Sequence, residues 1–332
     1  MSSTRDILSR VLREVEALRH PILRRVVRAG FIGGAAGLLI LATLALTGGE
    51  LAPWVLVGTG IIGGMAGSLF ARSLRPLADH LLGVSTNARL LELSNPAHPL
   101  MRDLITRAPG TYTHSVVTAN LAEVGAEAVG ADRLLARVGA YYHDVGKLMR
   151  PEYFFENLSG GVNPHEDATP GHSAEIIRQH VGDGVDLAGA YGLPKEVTRI
   201  IGQHHGTSVV RYFYRKAAEL DATVFESDFR YQGDRPRSKE AALVMLADGA
   251  EAAVRAIRVP SDSQIESTVR GMIAERLTDH QLDDSGLASK DIEALIEAFT
   301  RMLSSMYHPR VEYPEATPRS GHADLRHEPS RA

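Results

Sequence analysis

The sequence predicts an all-α domain preceded by two membrane-spanning helices. Three observations support this: apolar residues recur at three- and four-residue spacing after residue 95, no segment shows sustained strand alternation, and two long runs near the N-terminus carry no charge. The formal charge of −4 provides no overall basic field, so we expect no nucleic acid polymer as a partner. The absence of cysteine excludes disulfides and thiolate metal sites.

Residues 1–28 are predicted to form a basic amphipathic segment. Apolar residues recur there at helical spacing, and arginines lie between them. The apolar residues are Ile7, Leu8, Val11, Leu12, Val15 and Leu18. Such a helix is suited to the surface of an anionic inner leaflet. It could equally be a dimer helix, so a homodimer remains open.

Residues 29–71 are predicted to form a transmembrane hairpin. The uncharged runs 29–49 and 51–71 are each long enough to cross the roughly 30 Å hydrocarbon core as a helix. The connecting turn of the hairpin contains no arginine, whereas five arginines flank the hairpin: Arg24, Arg25, Arg28, Arg72 and Arg75. We therefore expect an inner (cytoplasmic) membrane protein with two spans, whose termini and following domain lie in the cytoplasm. A pair of buried, glycine-rich soluble helices is the alternative.

Residues 72–94 are predicted to be a helical connector, residues 95–308 the folded domain, and residues 309–332 a disordered tail. Helical spacing within the domain predicts helices at 115–129, 133–143, 174–187, 196–204, 240–257, 265–276 and 291–307. Two polar loops, 156–169 and 221–239, interrupt this pattern, and the first could cover a bound nucleotide.

Seven potential metal ligands are concentrated in this domain: His114, His143, Asp144, His180, His204, His205 and Asp248. Imidazole suits Fe, Mn or Zn, and a carboxylate can bridge two cations while balancing their charge. Neighbouring polar residues in an interior need two sets of partners or a metal, which favours ligands at the pairs His143-Asp144 and His204-His205. A lone histidine such as His114 or His180 could instead be a hydrogen-bonded core residue. Together the seven suit two divalent ions, which we expect to be Fe or Mn.

The His-Asp pair is followed by Gly146 and Lys147. Gly146 is expected to permit a tight turn, and Lys147 to reach a phosphate as a point charge. Asp144 and Lys147 are therefore the predicted catalytic residues.

Other residues of the domain have weaker claims to a role in the site. His165 is expected to contact the ligands without binding metal itself, or to face solvent. His172 is a weak candidate for a third metal site. Three aromatic residues of the second loop could stack on a base, although helix packing explains them better: Phe225, Phe229 and Tyr231.

The order of these residues resembles the HD phosphohydrolase superfamily. The segments 95–100, 108–115, 137–147, 193–196 and 203–207 are similar to the cytoplasmic domain of the seven-transmembrane HD proteins, and so to the membrane-bound cyclic di-AMP phosphodiesterases. The resemblance extends over residues 85–256 and implies a helical HD-domain phosphohydrolase fold. It also implies two metal sites that share Asp144, one completed by His114, His143 and Asp248, the other by His180, His204 and His205.

The resemblance implies a membrane-anchored phosphodiesterase that hydrolyses cyclic di-AMP to pApA by a metal-bridging hydroxide, with Lys147 touching a non-bridging oxygen. The motifs do not exclude cyclic di-GMP or another nucleotide. The family architecture has seven spans and a large extracellular domain, whereas this sequence predicts two spans. One alternative is a nucleotide-binding membrane regulator with a structural or non-catalytic metal site. Another is a membrane scaffold.

Overall fold

The structure is a computed structural model that describes residues 86–158 and 163–307, together with five isolated positions between residues 34 and 67. The predictions for residues 1–28 and 309–332 lie outside the described residues. Those for the hairpin and for most of the connector also lie outside them, apart from the five isolated positions. Among the described helices, none combines the length and the apolar character needed to cross a bilayer.

The described residues confirm the all-α prediction, because they contain helices and a single isolated bridge between Val209 and Arg230 but no β-strand. The α-helices, numbered from the first described, are α1 (Asn87–Leu93), α2 (Pro99–Arg107), α3 (Pro109–Val129), α4 (Arg133–Tyr142), α5 (Pro170–Ala190), α6 (Lys195–Gln203), α7 (Arg211–Leu220), α8 (Lys239–Arg255), α9 (Asp262–Thr278) and α10 (Ser289–Tyr307). Short 3₁₀ helices occupy Val145–Met149, Pro151–Tyr153, Phe155–Asn157 and Glu226–Phe229.

Local sequence explains where several helices begin. Asp132, Thr169 and Ser238 cap α4, α5 and α8 by accepting a backbone N–H bond through their side chains. Ser261 and Gln264 form a reciprocal capping box at α9. Proline starts α2, α3 and α5, where its missing N–H costs no helical bond.

Several helices differ from the predicted pattern. Helices α2 and α7 were not predicted; α7 is short and buries only Phe213 and Ala217. Helix α3 begins six residues before the predicted start at Ser115, because Pro109 and Gly110 both fit its first turn. A Cβ at Gly110 would lie 1.8 Å from the carbonyl oxygen of Glu156, so glycine allows the 3₁₀ segment to pack directly on this turn.

The core of the described residues has two large apolar clusters, which share α4, and a small third cluster around Phe213. The larger cluster surrounds α8, which is buried continuously from Ala241 to Ala247 between α3, α9 and α10. The smaller cluster joins α1, α2 and α6 to the 3₁₀ helix Val145–Met149. The Tyr142 hydroxyl donates to the Leu93 carbonyl at 2.8 Å, so the end of the segment assigned to the connector packs into the folded body.

Gly146 is required for close packing and not for an unusual turn. Its φ is not positive, and it lies inside the 3₁₀ helix Val145–Met149. A Cβ there would lie 1.9 Å from the carbonyl oxygen of His180 in α5. Gly146 thus lies in a tight turn, as predicted, and the structure adds a second reason for glycine, since a side chain there would prevent the His-Asp segment from contacting α5.

Candidate metal centre

The structure brings all seven predicted ligands together where three helices and the ends of two others converge. Helix α3 supplies His114, and His143 and Asp144 follow the last turn of α4. Helix α5 supplies His180, the end of α6 supplies the pair His204-His205, and α8 supplies Asp248. Residues separated by more than a hundred positions thus converge on one centre.

Asp144 lies between two sets of ligands and directs one oxygen to each. Its Oδ2 lies 3.2 Å from His143 Nε2 and 3.6 Å from His114 Nε2. Its Oδ1 lies 3.3 Å from His180 Nε2 and 3.7 Å from His204 Nε2. A carboxylate placed in this way can bridge two cations.

The donor atoms form two groups. The first ligand group comprises His114, His143 and Asp144, and the second comprises Asp144, His180, His204 and His205; within each, the donor atoms lie within 4.8 Å of one another. Asp248 adjoins the first group, with its Oδ1 3.0 Å from His114 Nε2 and 3.8 Å from His143 Nε2. Its Oδ2 lies 3.9 Å from His205 Nδ1, so Asp248 also contacts the second group.

The residues present fit bound metal. Asp144 Oδ1 and His143 Nε2 are buried and form no hydrogen bond with any described residue. Leaving a buried donor or acceptor unsatisfied is costly, and a cation at this position would engage both atoms. The His/Asp cluster can therefore hold metal.

Three of the ligand histidines are fixed in orientation by their own helices. His143, His180 and His204 each donate Nδ1–H to the backbone carbonyl three residues earlier, on Ala140, Ile177 and Ile201. These bonds leave the Nε2 lone pair facing the centre, which is the tautomer that a metal requires.

His114 has a different partner. Its Nδ1 bonds Oε2 of Glu251 at 2.6 Å, and both side chains are buried. The sequence analysis assigned Glu251 no role. One sequence feature could have identified it: Glu251 is a second acid three residues after Asp248, so both lie on the same face of the apolar helix α8.

The two groups differ in their electrostatics. Burial would lower the pKa of His114, but its hydrogen bonds to Asp248 and Glu251 outweigh burial and raise it to about 10. Burial lowers the pKa of His204 to about 4, and that of His205 falls well below its usual value for the same reason. His204 and His205 are therefore neutral at pH 7 and available as ligands.

The acidic ligands are held in their ionised forms. Burial opposes ionisation of Asp144, but nearby His143 and Lys147 bring its pKa well below the usual value. Burial opposes ionisation of Asp248 as well, but the hydrogen bond from His114 outweighs burial and lowers the pKa of Asp248 below its usual range.

Lys147 lies beside the centre and joins two carboxylates. Its Nζ is 2.7 Å from Asp144 Oδ2 and 2.7 Å from Glu156 Oε1. Burial would lower the pKa of Lys147, but these two acids raise it above its usual value, so the ammonium form is retained. Thr111 donates to the same Glu156 oxygen at 3.2 Å, which ties the 3₁₀ segment to α3.

The remaining residues considered from the sequence are dispersed. His165 is nearly buried, bonds the Tyr153 carbonyl at 2.8 Å through Nε2 and belongs to neither ligand group. His172 is exposed and pairs with Glu175 at 3.7 Å, so the geometry offers no third metal site there. Phe229 packs in a small cluster with Phe213, as helix packing predicts.

Tyr231 forms part of the site although the sequence favoured simple packing for it. Its ring stacks on His205 with centroids 4.2 Å apart and planes inclined by 22°. It lines the same cavity as Lys147 and Asp248.

A cavity of about 1000 Å³ opens onto the centre. Lys147, His180, His205 and Asp248 line its inner part, and α8 and α9 contribute further lining residues. Two of its lining residues are strongly exposed, Phe155 at 85% and Tyr212 at 70%. We call Phe155 and Tyr212 the cavity mouth.

Comparison with known proteins places these features in context. The family model described as "HD domain" matches residues 111–253. The chain is 45% identical over 280 residues to the cyclic-di-AMP phosphodiesterase PgpH of Bacillus subtilis, which covers 84% of this chain and 39% of that protein. It is 36% identical over 294 residues to PgpH of Listeria monocytogenes, covering 87% of this chain and 41% of that protein. The chain thus spans about two fifths of the length of these relatives.

A crystal structure of the L. monocytogenes PgpH HD domain in complex with cyclic-di-AMP matches the fold with a TM-score of 0.63. The two sequences are 41% identical, and the match covers 64% of this chain and 100% of that one. A second structure of the same domain matches with a TM-score of 0.61.

Proposed function

The chain belongs to the HD-domain family, and on this premise we propose that it is a metal-dependent phosphodiesterase that hydrolyses cyclic di-AMP to pApA. Asp144 carries the proposal, because its two oxygens face two separate sets of histidines. Relatives named cyclic-di-AMP phosphodiesterase support the choice of reaction and of substrate.

Two divalent ions, Fe or Mn, suit the donor set of imidazoles and carboxylates. Asp144, His114, His143 and Asp248 would hold one ion, and Asp144, His180, His204 and His205 the other. When bound, such a pair would supply Lewis acidity at phosphorus and would lower the pKa of water, so that hydroxide would be available as the attacking nucleophile.

The protein side chains position the substrate around this centre. Lys147 lines the cavity and retains its positive charge, so its ammonium can contact a non-bridging phosphoryl oxygen while remaining paired with Glu156. The ring of Tyr231 fixes His205 by stacking. The backbone bonds to His143, His180 and His204 keep their donor atoms directed at the centre.

The cavity provides room for more than one phosphodiester group. Its volume of about 1000 Å³ lies within the upper range of small-ligand sites. Phe155 and Tyr212 at the cavity mouth offer exposed rings on which a base can stack. This arrangement fits a nucleotide with a base some distance from the reacting phosphate.

The same proposal includes a membrane anchor. Residues 29–71 would form two spans in the inner membrane, with both termini and the catalytic domain in the cytoplasm, because the flanking arginines favour that side. Reporters fused at Ser2 and after Ala332 should both report the cytoplasm. A C-terminal reporter active only outside the membrane would contradict this orientation. Self-association through residues 1–28 would accompany the anchor if that segment is a dimer helix.

The test of activity uses the purified full chain, stripped of metal and then supplied with Mn²⁺ or Fe²⁺. Cyclic di-AMP, cyclic di-GMP and linear pApA are offered separately, and products are separated by chromatography. We expect metal-dependent conversion of cyclic di-AMP to pApA, which Asp144→Asn abolishes.

Other outcomes would identify a different function. Faster hydrolysis of cyclic di-GMP would keep the reaction and change the substrate. A folded, metal-loaded chain that binds a cyclic dinucleotide without hydrolysing it would instead support the nucleotide-binding regulator.

A further inference from the structure

Glu251 is a buried acid whose strongest contact is with a predicted metal ligand. Only 3% of Glu251 is exposed, and its Oε2 lies 2.6 Å from His114 Nδ1. Its other oxygen lies 3.3 Å from Arg255, one turn later on α8. The His114 Nε2 atom, on the opposite edge of the ring, faces Asp144 and Asp248.

This partner distinguishes His114 from three other ligand histidines. His143, His180 and His204 donate Nδ1–H to neutral backbone carbonyls of their own helices. His114 lies in the middle of α3, and its Nδ1 is bound by a carboxylate from α8. A carboxylate acceptor orients the ring more strongly and makes Nε2 a stronger donor to a metal than a neutral carbonyl does.

We propose that Glu251 is a positioning residue for one of the two metal ions, the ion of the first ligand group, through its hydrogen bond to His114. The inference rests on the proposed two-metal function. Glu251 does not reach the ion itself. With the ion bound, it would keep the remaining His114 proton on Nδ1 and direct the Nε2 lone pair at the ion, while Asp248 from the same helix would contribute a ligand.

A purely structural role makes a different prediction. The Glu251–His114 contact joins α3 to α8, so it could serve only to hold these helices together. Loss of a helix contact would lower the stability of the whole domain and disturb both ion sites alike. Loss of a positioning residue would weaken one ion and leave the other unchanged.

The test titrates Mn²⁺ into the metal-stripped full chain and follows the number and affinity of bound ions by electron paramagnetic resonance. Glu251→Gln removes the charge at nearly constant shape, and Glu251→Asp keeps the charge but shortens the reach to His114. Asp291→Asn is the matched control, because Asp291 is a buried acid paired with Lys239 and lies in α10, outside both ligand groups. Far-UV circular dichroism confirms that each variant is folded.

We expect the wild-type chain and Asp291→Asn to bind two ions with the same affinities. In Glu251→Gln one ion should keep its affinity and the other should weaken by about 10- to 100-fold. Glu251→Asp should give the same pattern, which also decides the matter if Glu251→Gln does not fold. Unchanged binding of both ions in a folded Glu251 variant, or equal weakening of both, would overturn the inference alone. A wild-type chain that binds no Mn²⁺ would overturn the proposed function as well.

Discussion

At the metal centre His143 and His204 are fully buried, whereas at the cavity mouth Phe155 and Tyr212 expose 85% and 70% of their surface. The ligands of the centre are also fixed by backbone bonds and by neighbouring side chains. The rings of the mouth lie on a 3₁₀ segment and on the short helix α7, and much of their surface faces solvent.

The contrast suggests a division of roles. A rigid, buried centre holds donor atoms in one geometry, which metal chemistry requires. An exposed aromatic mouth can contact a base without constraining the reacting phosphate. Changes at the centre should therefore reduce metal binding and catalysis, and changes at the mouth should alter affinity for the substrate.

The largest effect is expected from Asp144→Ala. Because both ligand groups include Asp144, the full chain should lose most bound metal and nearly all hydrolysis of cyclic di-AMP while remaining helical. Elemental analysis, turnover and circular dichroism measure the three properties. Wild-type metal content in this variant would show that Asp144 does not bridge.

A smaller but still large effect is expected when one ligand group is damaged. His204→Ala should remove the ion of the second group and leave that of the first, because His204 lies only in the second. Loss of a direct ligand should lower turnover by more than the roughly 10- to 100-fold typical of outer partners. Exposed His172→Ala is the control, and it should retain both ions. Loss of both ions in folded His204→Ala would mean that the two groups act as one site.

At the mouth, Phe155→Ala should raise KM for cyclic di-AMP and leave metal content and kcat unchanged. Stacking of a base on an aromatic ring is worth about 1–3 kcal/mol, so a KM increase of roughly tenfold is expected. Phe225→Ala is the matched control, since Phe225 is also strongly exposed, at 72%, but does not line the cavity. Equal KM values for Phe155→Ala and the wild type would remove the mouth from substrate binding.

The smallest effect concerns the stability of the metal-stripped chain. The folded-state pKa of His114 is raised from 6.5 to about 10. Its contribution to the free energy of unfolding is therefore fully present below pH 6.5 and is lost as the pH rises towards 10. The folded-state pKa of His204 is lowered to about 4. Its contribution to the free energy of unfolding is therefore present above pH 6.5 and is lost as the pH falls towards 4. Unfolding free energy should therefore be greatest near pH 6.5 and fall on the alkaline side by on the order of a few kcal/mol.

Chemical denaturation at pH 5, 6.5 and 9 measures this dependence. His114→Gln should flatten the alkaline side, because it removes the group that loses its proton there. An alkaline decline that persists unchanged in His114→Gln would assign it to another group.

Five of the candidate ligands could be predicted from sequence, because two adjacent polar pairs and an acid in an apolar helix are costly unless a cation binds them. His114 and His180 depended on the family resemblance. Most long helices followed from apolar spacing. Glu251 could not be assigned, because its partner His114 lies 137 positions earlier in the chain. The requirement for glycine at position 146 is likewise visible only once the carbonyl of His180 is in place. The role of Glu251 and the need for glycine at position 146 both depend on tertiary contacts, which apolar periodicity does not predict.

The central claim is that Asp144 bridges two ions. A crystal of the protein grown with Mn²⁺, and measured at the manganese absorption edge, tests it directly through anomalous scattering. We expect two peaks on opposite sides of the Asp144 carboxylate, about 4 Å apart, as in other two-metal sites. A single peak, or two peaks of which only one touches Asp144, would contradict it.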